Sequence, residues 1–555
     1  MVRATFSGFN TALSALQANQ KRLDITGQNL SNMNTAGYTR QQLEASSLNY
    51  TNPVSHYSNG NETAVGFGVS MDRVSQIRDP YLDIQYRSQS ADCSYTNRLQ
   101  TALNSLSKVL DETTISGIRQ AFDDIQSTLT SMQDPAKVSD PIYESELRTK
   151  MQSVCNLFNQ ASRQITQAEQ NEFQRLTGEG SSEQGDVQKI NDILRQIGDL
   201  NVQIKRNQVA GHPSLELQDE RNLLLDELSG YIPVETRYYK DDAHSGNNAY
   251  DYDANGAVIG KKDWPDDLEV SMNYIDAQGK SQKLILVNGS DLGADGLTKN
   301  YGQLSVLNRD HQTAASVSDP ANISIRFEKA PSYQVNGQAA TDVYAELKGI
   351  HFEGGSLQAS LDMLQKKGTG NVINGSVDDV RGYQYYSEKL DQLADTFAKS
   401  MNASNNGNNH KDQNLLSNST DDSTNGITAG NIGISKGWTS GTIHISTDGT
   451  NRTDTILDMI AAMKDTKKLN GKTFADYMNN LSTQLASDSS SNQTALKTGT
   501  TVLNSIQDSR DSLSGVSLDE EATNMMAYVS AYNAASRLMT ALDEVLNTLI
   551  SNTGA

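Results

Sequence analysis

The residue types most often recruited for metal, nucleotide or nucleophilic chemistry are scattered in this chain. Its histidines, His56, His212, His244, His311, His351, His410 and His444, include no pair at i, i+4 and no His-Glu-x-x-His arrangement, the spacing that sets two imidazoles on one helix face around zinc. Gly471-Lys472-Thr473 ends like a phosphate-binding loop, but Thr466 stands where the leading glycine belongs, and a hairpin turn is the plainer reading. Asp251-Tyr252-Asp253-Ala254-Asn255-Gly256 opens like a calcium loop, yet Lys262 replaces the bidentate glutamate, so a turn between Tyr-rich strands is expected. There is no Gly-x-Ser-x-Gly elbow and no Cys-His-Asn signature. The chain is therefore expected to be no enzyme, with no catalytic residue, metal or cofactor.

What remains is a chain built to be positioned. Its 555 residues exceed one hydrophobic core and suggest three or four domains. A mean hydropathy of -0.57 and only 6% aromatics favour helices with narrow apolar seams in an elongated molecule. The formal charge of -21 disfavours nucleic acid and anionic membrane as partners. No window approaches the ~20 apolar residues of a membrane span, and Met1 to Asn10 lacks a signal-peptide core, so the general secretory route is not expected. Cys93 and Cys155 read as partly buried free thiols, with a single bridge across two helices as the alternative.

Both ends carry heptad stripes. Phe6, Phe9, Leu13, Leu16, Gln20, Leu23, Gly27 and Leu30 step by three and four, and Met525, Val529, Tyr532, Ser536 and Met539, then after a one-residue shift Leu542, Leu546 and Leu549, answer them. Ordering each stripe costs more than burying its apolar side chains returns. The terminal segments are thus expected to be loose in a free monomer and to order on packing with each other and with neighbours.

Between them, Leu103 to Phe158 and Val187 to Ile204 keep helical spacing, and a helix through Leu217 and Leu228 is expected to stop at Gly230. From Tyr231 the texture turns to alternation at Leu284 and Leu286 and at Ile323, Ile325 and Phe327. Asn288-Gly289, Asp295-Gly296 and Asn336-Gly337 serve as hairpin turns. Helical pattern resumes from Leu357 past Phe397, and a Ser, Asn and Gly-rich stretch leads to strand-like Ile443 and Ile445. The expected fold is multi-domain α+β. Residues 1–50 with 510–555 form a terminal coiled-coil domain, and 51–230 with 349–401 and 481–509 a helical shaft. Residues 231–348 form a larger β-rich insertion and 402–480 a smaller, variable one.

Leu23 to Gln41 contains Asn29, Asn32, Asn34, Thr35, Gly37, Tyr38, Arg40 and Gln41, an Asn-rich helix end running into a Thr-x-Gly-Tyr turn. It resembles the signature of the bacterial flagellar rod, hook and hook-associated axial proteins, and Arg40-Gln41 leans toward the hook-associated branch. Gly66 to Val69 with Ile77 to Leu82, Leu217 to Tyr231, Gly354 to Leu357 with Leu390 to Ala394, and Gly515 to Asn524 with Ala531 to Arg537 are similar to further segments of that family, in order.

The resemblance implies a structural subunit of the hook-filament junction, in the extracellular flagellum, exported by the flagellar type III system and polymerising as a short ring. It implies contacts with copies of itself, with hook protein and with a second junction protein, and an export chaperone on the C-terminal helix. In that picture Phe6, Phe9, Leu13, Leu16, Leu23 and Leu30 pack against Met525, Val529, Tyr532, Leu542, Leu546 and Leu549. Hook protein or flagellin itself, an adhesive role for the insertions, and an enzyme carried on flagellar ends are the weaker alternatives.

Overall fold

The computed structural model describes residues 7–48, 68–109, 112–138, 140–179, 182–210, 212–240, 250–252, 258–261, 266–275, 280–290, 299–307, 323–328, 330, 334–335, 338–339, 344–347, 353–373, 376–407, 411–446 and 453–553. Phe6, Leu110, Asp295-Gly296, Asn336-Gly337 and most of the calcium-loop-like segment lie outside these residues.

Helices dominate, as the hydropathy pattern requires. In chain order they are α1 (Ser7–Ser31), α2 (Pro80–Val109), α3 (Glu112–Ser131), α4 (Pro135–Val138), α5 (Pro141–Thr177), α6 (Asp186–Val209), α7 (Leu215–Tyr231), α8 (Ser356–Gln365), α9 (Tyr383–Asn406), α10 (Lys436–Ser440), α11 (Asp454–Lys464), α12 (Phe474–Ser514) and α13 (Leu518–Thr553). Local chemistry sets several boundaries. Asp140 caps α5 by accepting from the Ile142 N–H, with Pro141 at the first helical position, and Gly178 ends the helix at φ 78°. α7 runs one residue beyond Gly230, because Ile232 supplies the closing N–H to Leu228. Thr473 accepts from the Asp476 N–H as the N-cap of α12, so the Gly-Lys-Thr triplet starts a helix and is not a hairpin turn.

The strands are β1 (Gln41–Ser47), β2 (Val69–Gln76), β3 (Glu235–Lys240), β4 (Asp266–Ile275), β5 (Ser281–Asn288), β6 (Gln303–Leu307), β7 (Ser324–Glu328), β8 (Tyr344–Leu347), β9 (Leu416–Asn418) and β10 (Ile432–Ile434), with a few shorter pairs. β1 and β2 form an antiparallel ladder with Gln41 opposite Gln76 and a bulge at Glu44/Ala45. β3-β4-β5 and β8-β7-β6 make two small sheets, joined by a bridge from Val287 to Tyr301. Gly289, after Asn288, has φ 53° and makes the turn at the end of β5. β5 departs from the alternation expected of it. Leu284, Ile285, Leu286 and Val287 are all buried, so both faces are covered, one of them by α6.

The helices from α2 to α12 and both sheets share one continuous apolar cluster. At its centre Phe122 of α3 meets Phe158, Phe397 and Phe474 at ring-centroid distances of 6.0, 5.2 and 5.6 Å. The strands of 231–348 therefore share a core with the helices.

Segment 402–480, expected to be β-rich, carries among the described residues one two-stranded ladder, β9–β10, and three helical pieces: α10, α11 and a 3-10 turn at Lys467–Leu469. Ile443 and Ile445 sit outside any strand. The Ile443 side chain lies against Gly437 of α10, a single turn too short to template a strand. Asn residues do much of the joining here. Asn402, buried in α9, accepts from the Leu415 and Leu416 N–H groups and donates to the Leu416 carbonyl at 2.7 Å, so α9 continues past the expected boundary to hold β9. Cys93 and Cys155 are both buried and unbridged, and burial pushes the Cys155 thiol up to about 12.

Phe122→Ala would leave a cavity among three aromatic rings. We expect a loss of about 3–5 kcal/mol in the chemical denaturation of the shaft, with the two-state slope preserved.

Candidate assembly site at the chain termini

α1 lies against α13 along the chain ends. Gly8 faces Leu542 so closely that an added Cβ would stand 3.3 Å from it, and the Arg22 guanidinium covers the Tyr528 ring at 5.6 Å. The β1–β2 hairpin also packs on α1, where Ser14 Oγ accepts from the Val69 N–H at 3.2 Å.

Phe9, Leu16, Leu23 and Leu30 on α1, and Met525, Leu542 and Leu546 on α13, are half-buried. Leu13, Val529 and Leu549 are 46%, 43% and 53% exposed, and Tyr532 is also exposed. Apart from Ile25, the fully buried positions are small or polar instead: Ala12, Ala18, Asn19, Thr26, Asn29, Glu521 and Ala535. A search for large apolar residues at heptad spacing passes over them; alanine at a heptad position was the available signal.

The turn that follows α1 is built by its polar side chains. Buried Asn29 donates to the Gln41 carbonyl and accepts from the Gln41 N–H, each at 3.0 Å, and also accepts from the Tyr38 hydroxyl at 2.9 Å. One amide thus pairs with β1 as a neighbouring strand would. Asn32 donates to the Gln28 carbonyl at the helix end and accepts from Thr35 Oγ1. Asn34 is exposed. Gly37 has φ 77° and sits over Leu223 of α7, a conformation that a side chain would strain. Burial raises the Tyr38 hydroxyl well above its usual range, with Asp219, Glu216 and Glu521 adding to the shift.

The residues after Tyr38 connect three parts of the chain. Thr39 donates its N–H (3.0 Å) and its hydroxyl (2.6 Å) to the two carboxylate oxygens of buried Asp219 on α7. Arg40 donates its N–H to the Ser514 carbonyl at 2.9 Å, and its guanidinium to Glu521 at 2.8 Å and Glu520 at 2.7 Å. Gln41 reaches Glu216 at 3.3 Å.

Beneath them, Arg78 pairs with Asp83, and Arg87 with Asp226 at 2.8 Å. Arg510 of α12 bridges Asp83 (3.1 Å) and Asp226 (2.7 Å) while stacking 4.2 Å over Tyr86. The sequence motif flagged Arg40. Arg87 and Arg510 carried no signal, because their partners lie 139 and 284 residues away.

A polar cavity of about 790 Å³ opens beside this network between the turn, α7 and the α12–α13 break. Among the described residues no group of three His, Cys, Asp or Glu is placed to hold a metal ion, and no helix is long and apolar enough to cross a membrane.

The central part of the chain, residues 103–416, matches the family model for the flagellar hook-associated protein FlgK helical domain. The chain belongs to the FlgK family. Both ends of this FlgK-family protein match rod-type models as well: residues 9–39 the flagella basal body rod protein, and 509–552 the flagellar basal body rod FlgEFG protein C-terminal segment.

The chain is 29% identical to flagellar hook-associated protein 1 of Bacillus subtilis over 568 aligned positions, covering 99% of each chain. It is 29% and 28% identical to the proteins of the same name from Salmonella typhimurium and Escherichia coli. Those alignments cover 41% of this chain and 38% and 39% of the relatives. The solved flagellar hook junction protein FlgK from Burkholderia pseudomallei aligns at 17% identity and a TM-score of 0.36, over 60% of this chain and 44% of that one. As a FlgK-family member the chain is a structural protein of the bacterial flagellum. The ionic network joins the two rod-type ends of this FlgK-family chain to its helical domain.

Asp219 sets the pH response of that junction. Both its oxygens face donors from Thr39, while its nearest cation, Arg78, stands 3.8 Å off and is engaged with Asp83. Burial therefore prevails over the Thr39 bonds and the Arg78 charge, and lifts the carboxyl from 3.8 to about 6. A raised carboxyl favours the folded state most below 3.8, and this contribution is lost as pH rises through about 6. Asp219→Asn keeps one acceptor and stays neutral. The difference between wild-type and variant unfolding free energies should therefore shift steadily between those two pH values and level off above them. Parallel profiles across that window would show that Asp219 does not titrate there.

Proposed function

We propose that this protein is a structural subunit of the flagellar hook-filament junction that polymerises through its paired terminal helices. One observation carries the reading. Large apolar side chains spread around α13, Met526, Val529, Leu538, Val545 and Ile550, stay exposed where α1 does not cover them. Apolar side chains left uncovered in this way favour packing against another surface. Rod-type matches at both ends fit a contact shared with other axial proteins.

In this reading copies of the chain form a short ring between hook protein and a second junction protein. An export chaperone masks α13 before the chain leaves through the flagellar type III channel. The ring is a mechanical joint and performs no catalysis. Order in the free chain is graded: the turn end is fixed by buried hydrogen bonds to α7 and α12, whereas farther out α1 and α13 pack on each other, with the β1–β2 ladder against α1.

Hydrogen exchange on the monomer and on assembled hook-junction structures tests this. Residues 7–24 and 536–553 should exchange fast in the monomer and become protected on assembly, while 29–41 stays protected in both. Equal strong protection of the far ends in both samples would mean a self-contained helix pair and would remove the polymerisation mechanism.

A further inference from the structure

α12 and α13 together run almost from Phe474 to Thr553, interrupted only at Gly515-Val516-Ser517. No proline forces the break. Gly515 leaves helical geometry at ψ 156°, and its N–H still closes the last turn of α12 on the Asp511 carbonyl at 2.9 Å. The Glu521 N–H then bonds the Ser517 carbonyl at 2.9 Å to open α13.

A single residue from the other end of the chain spans the gap. The Arg40 N–H takes the Ser514 carbonyl on the α12 side, one of the acceptors a helix end leaves open. Its guanidinium takes Glu520 and Glu521 in the first turn on the α13 side. Arg40 itself is oriented by its neighbours: Thr39 is fixed to Asp219, and the Arg40 carbonyl accepts from the Ile77 N–H at 2.9 Å. The near side of the break is anchored separately, through Arg510 to Asp83 and Asp226. Among the described residues α13 makes no such ion pair to the shaft, and Glu521, only 2% exposed, has Arg40 as its ionic partner.

We infer that Arg40 is a positioning residue that sets the angle between α12 and α13, so that docking of the N-terminal turn fixes the direction in which the terminal helix pair leaves the shaft. When the turn is undocked, Glu521 loses its counter-charge and the Ser514 carbonyl loses its external donor. Gly-Val-Ser then has no reason to stay bent, and the two helices swing or join into one rod. This inference does not depend on the polymerisation reading, since it concerns one chain in solution.

The test is a distance measurement by pulsed electron paramagnetic resonance on the full chain, with Cys93 and Cys155 replaced by alanine. Spin labels go on Lys497→Cys and Ser530→Cys, both exposed positions. Joined as one straight helix, the 33 intervening steps would separate the two sites by about 50 Å. The otherwise unaltered labelled chain should give one narrow distribution at a shorter distance. Arg40→Ala, and independently the isosteric Glu521→Gln, should broaden it and add a component approaching that length, while thermal melting of the shaft stays unchanged. Superimposable narrow distributions in all three proteins would overturn the inference, as would a broad distribution in the chain with Arg40 and Glu521 intact.

Discussion

The structure depends most on a set of guanidinium–carboxylate contacts buried where the two chain ends meet the shaft. Arg510 joins Arg78 and Arg87 through their shared partners Asp83 and Asp226, and Arg40 separately takes Glu520 and Glu521; all but the Arg78–Asp83 pair connect distant stretches of chain. Charges removed from water are costly unless paired with good geometry. Within the Arg78, Arg87 and Arg510 group, losing one member leaves Asp83 or Asp226 short of a counter-charge. These contacts make a firm joint from segments whose apolar surfaces alone would hold them weakly. Apolar packing supplies most of the stability of the shaft; the ionic set decides where the ends attach to it.

The two kinds of order were unequally visible in the residues. Helices with three large apolar residues per two turns, such as the run Ile118, Phe122, Ile125 and Leu129, are buried as their spacing implies, because burial of a stripe is a local property of sequence. The turn at Thr35 to Gln41 was also legible, since Gly37 and the asparagines act within a few residues of themselves. Arg87 and Arg510 were opaque, because a lone arginine on a helix reads as a solvated charge until its partner from a distant segment is known. The terminal seam was half legible: the stripe identified the helices, but Ala12, Ala18 and Ala535 are buried and Gly8 lies against Leu542, small residues that a hydropathy scan discounts. Strand expectation failed at Ile443 and Ile445 for a related reason. Alternation over three residues states a preference for one buried face, and a loop packed on Gly437 satisfies that preference as well as a strand does.

Asparagine has a structural part here beyond its share of turns. Asn29, Asn402 and Asn405 each place one amide, donor and acceptor together, against backbone groups of a neighbouring segment. An amide supplies donor and acceptor in one plane, so it stands in for a missing strand and satisfies backbone groups that would otherwise be buried alone.

Because such stitches are neutral and short, they are silent in an unfolded chain. A polypeptide that relies on them can keep its hydropathy low, with no long apolar runs for stray copies to recognise. It meets its own specificity only when helix and partner strand arrive together. The surplus of asparagine that makes the sequence look unremarkable thus separates two requirements that usually conflict, remaining unassociated while extended and becoming rigid once placed.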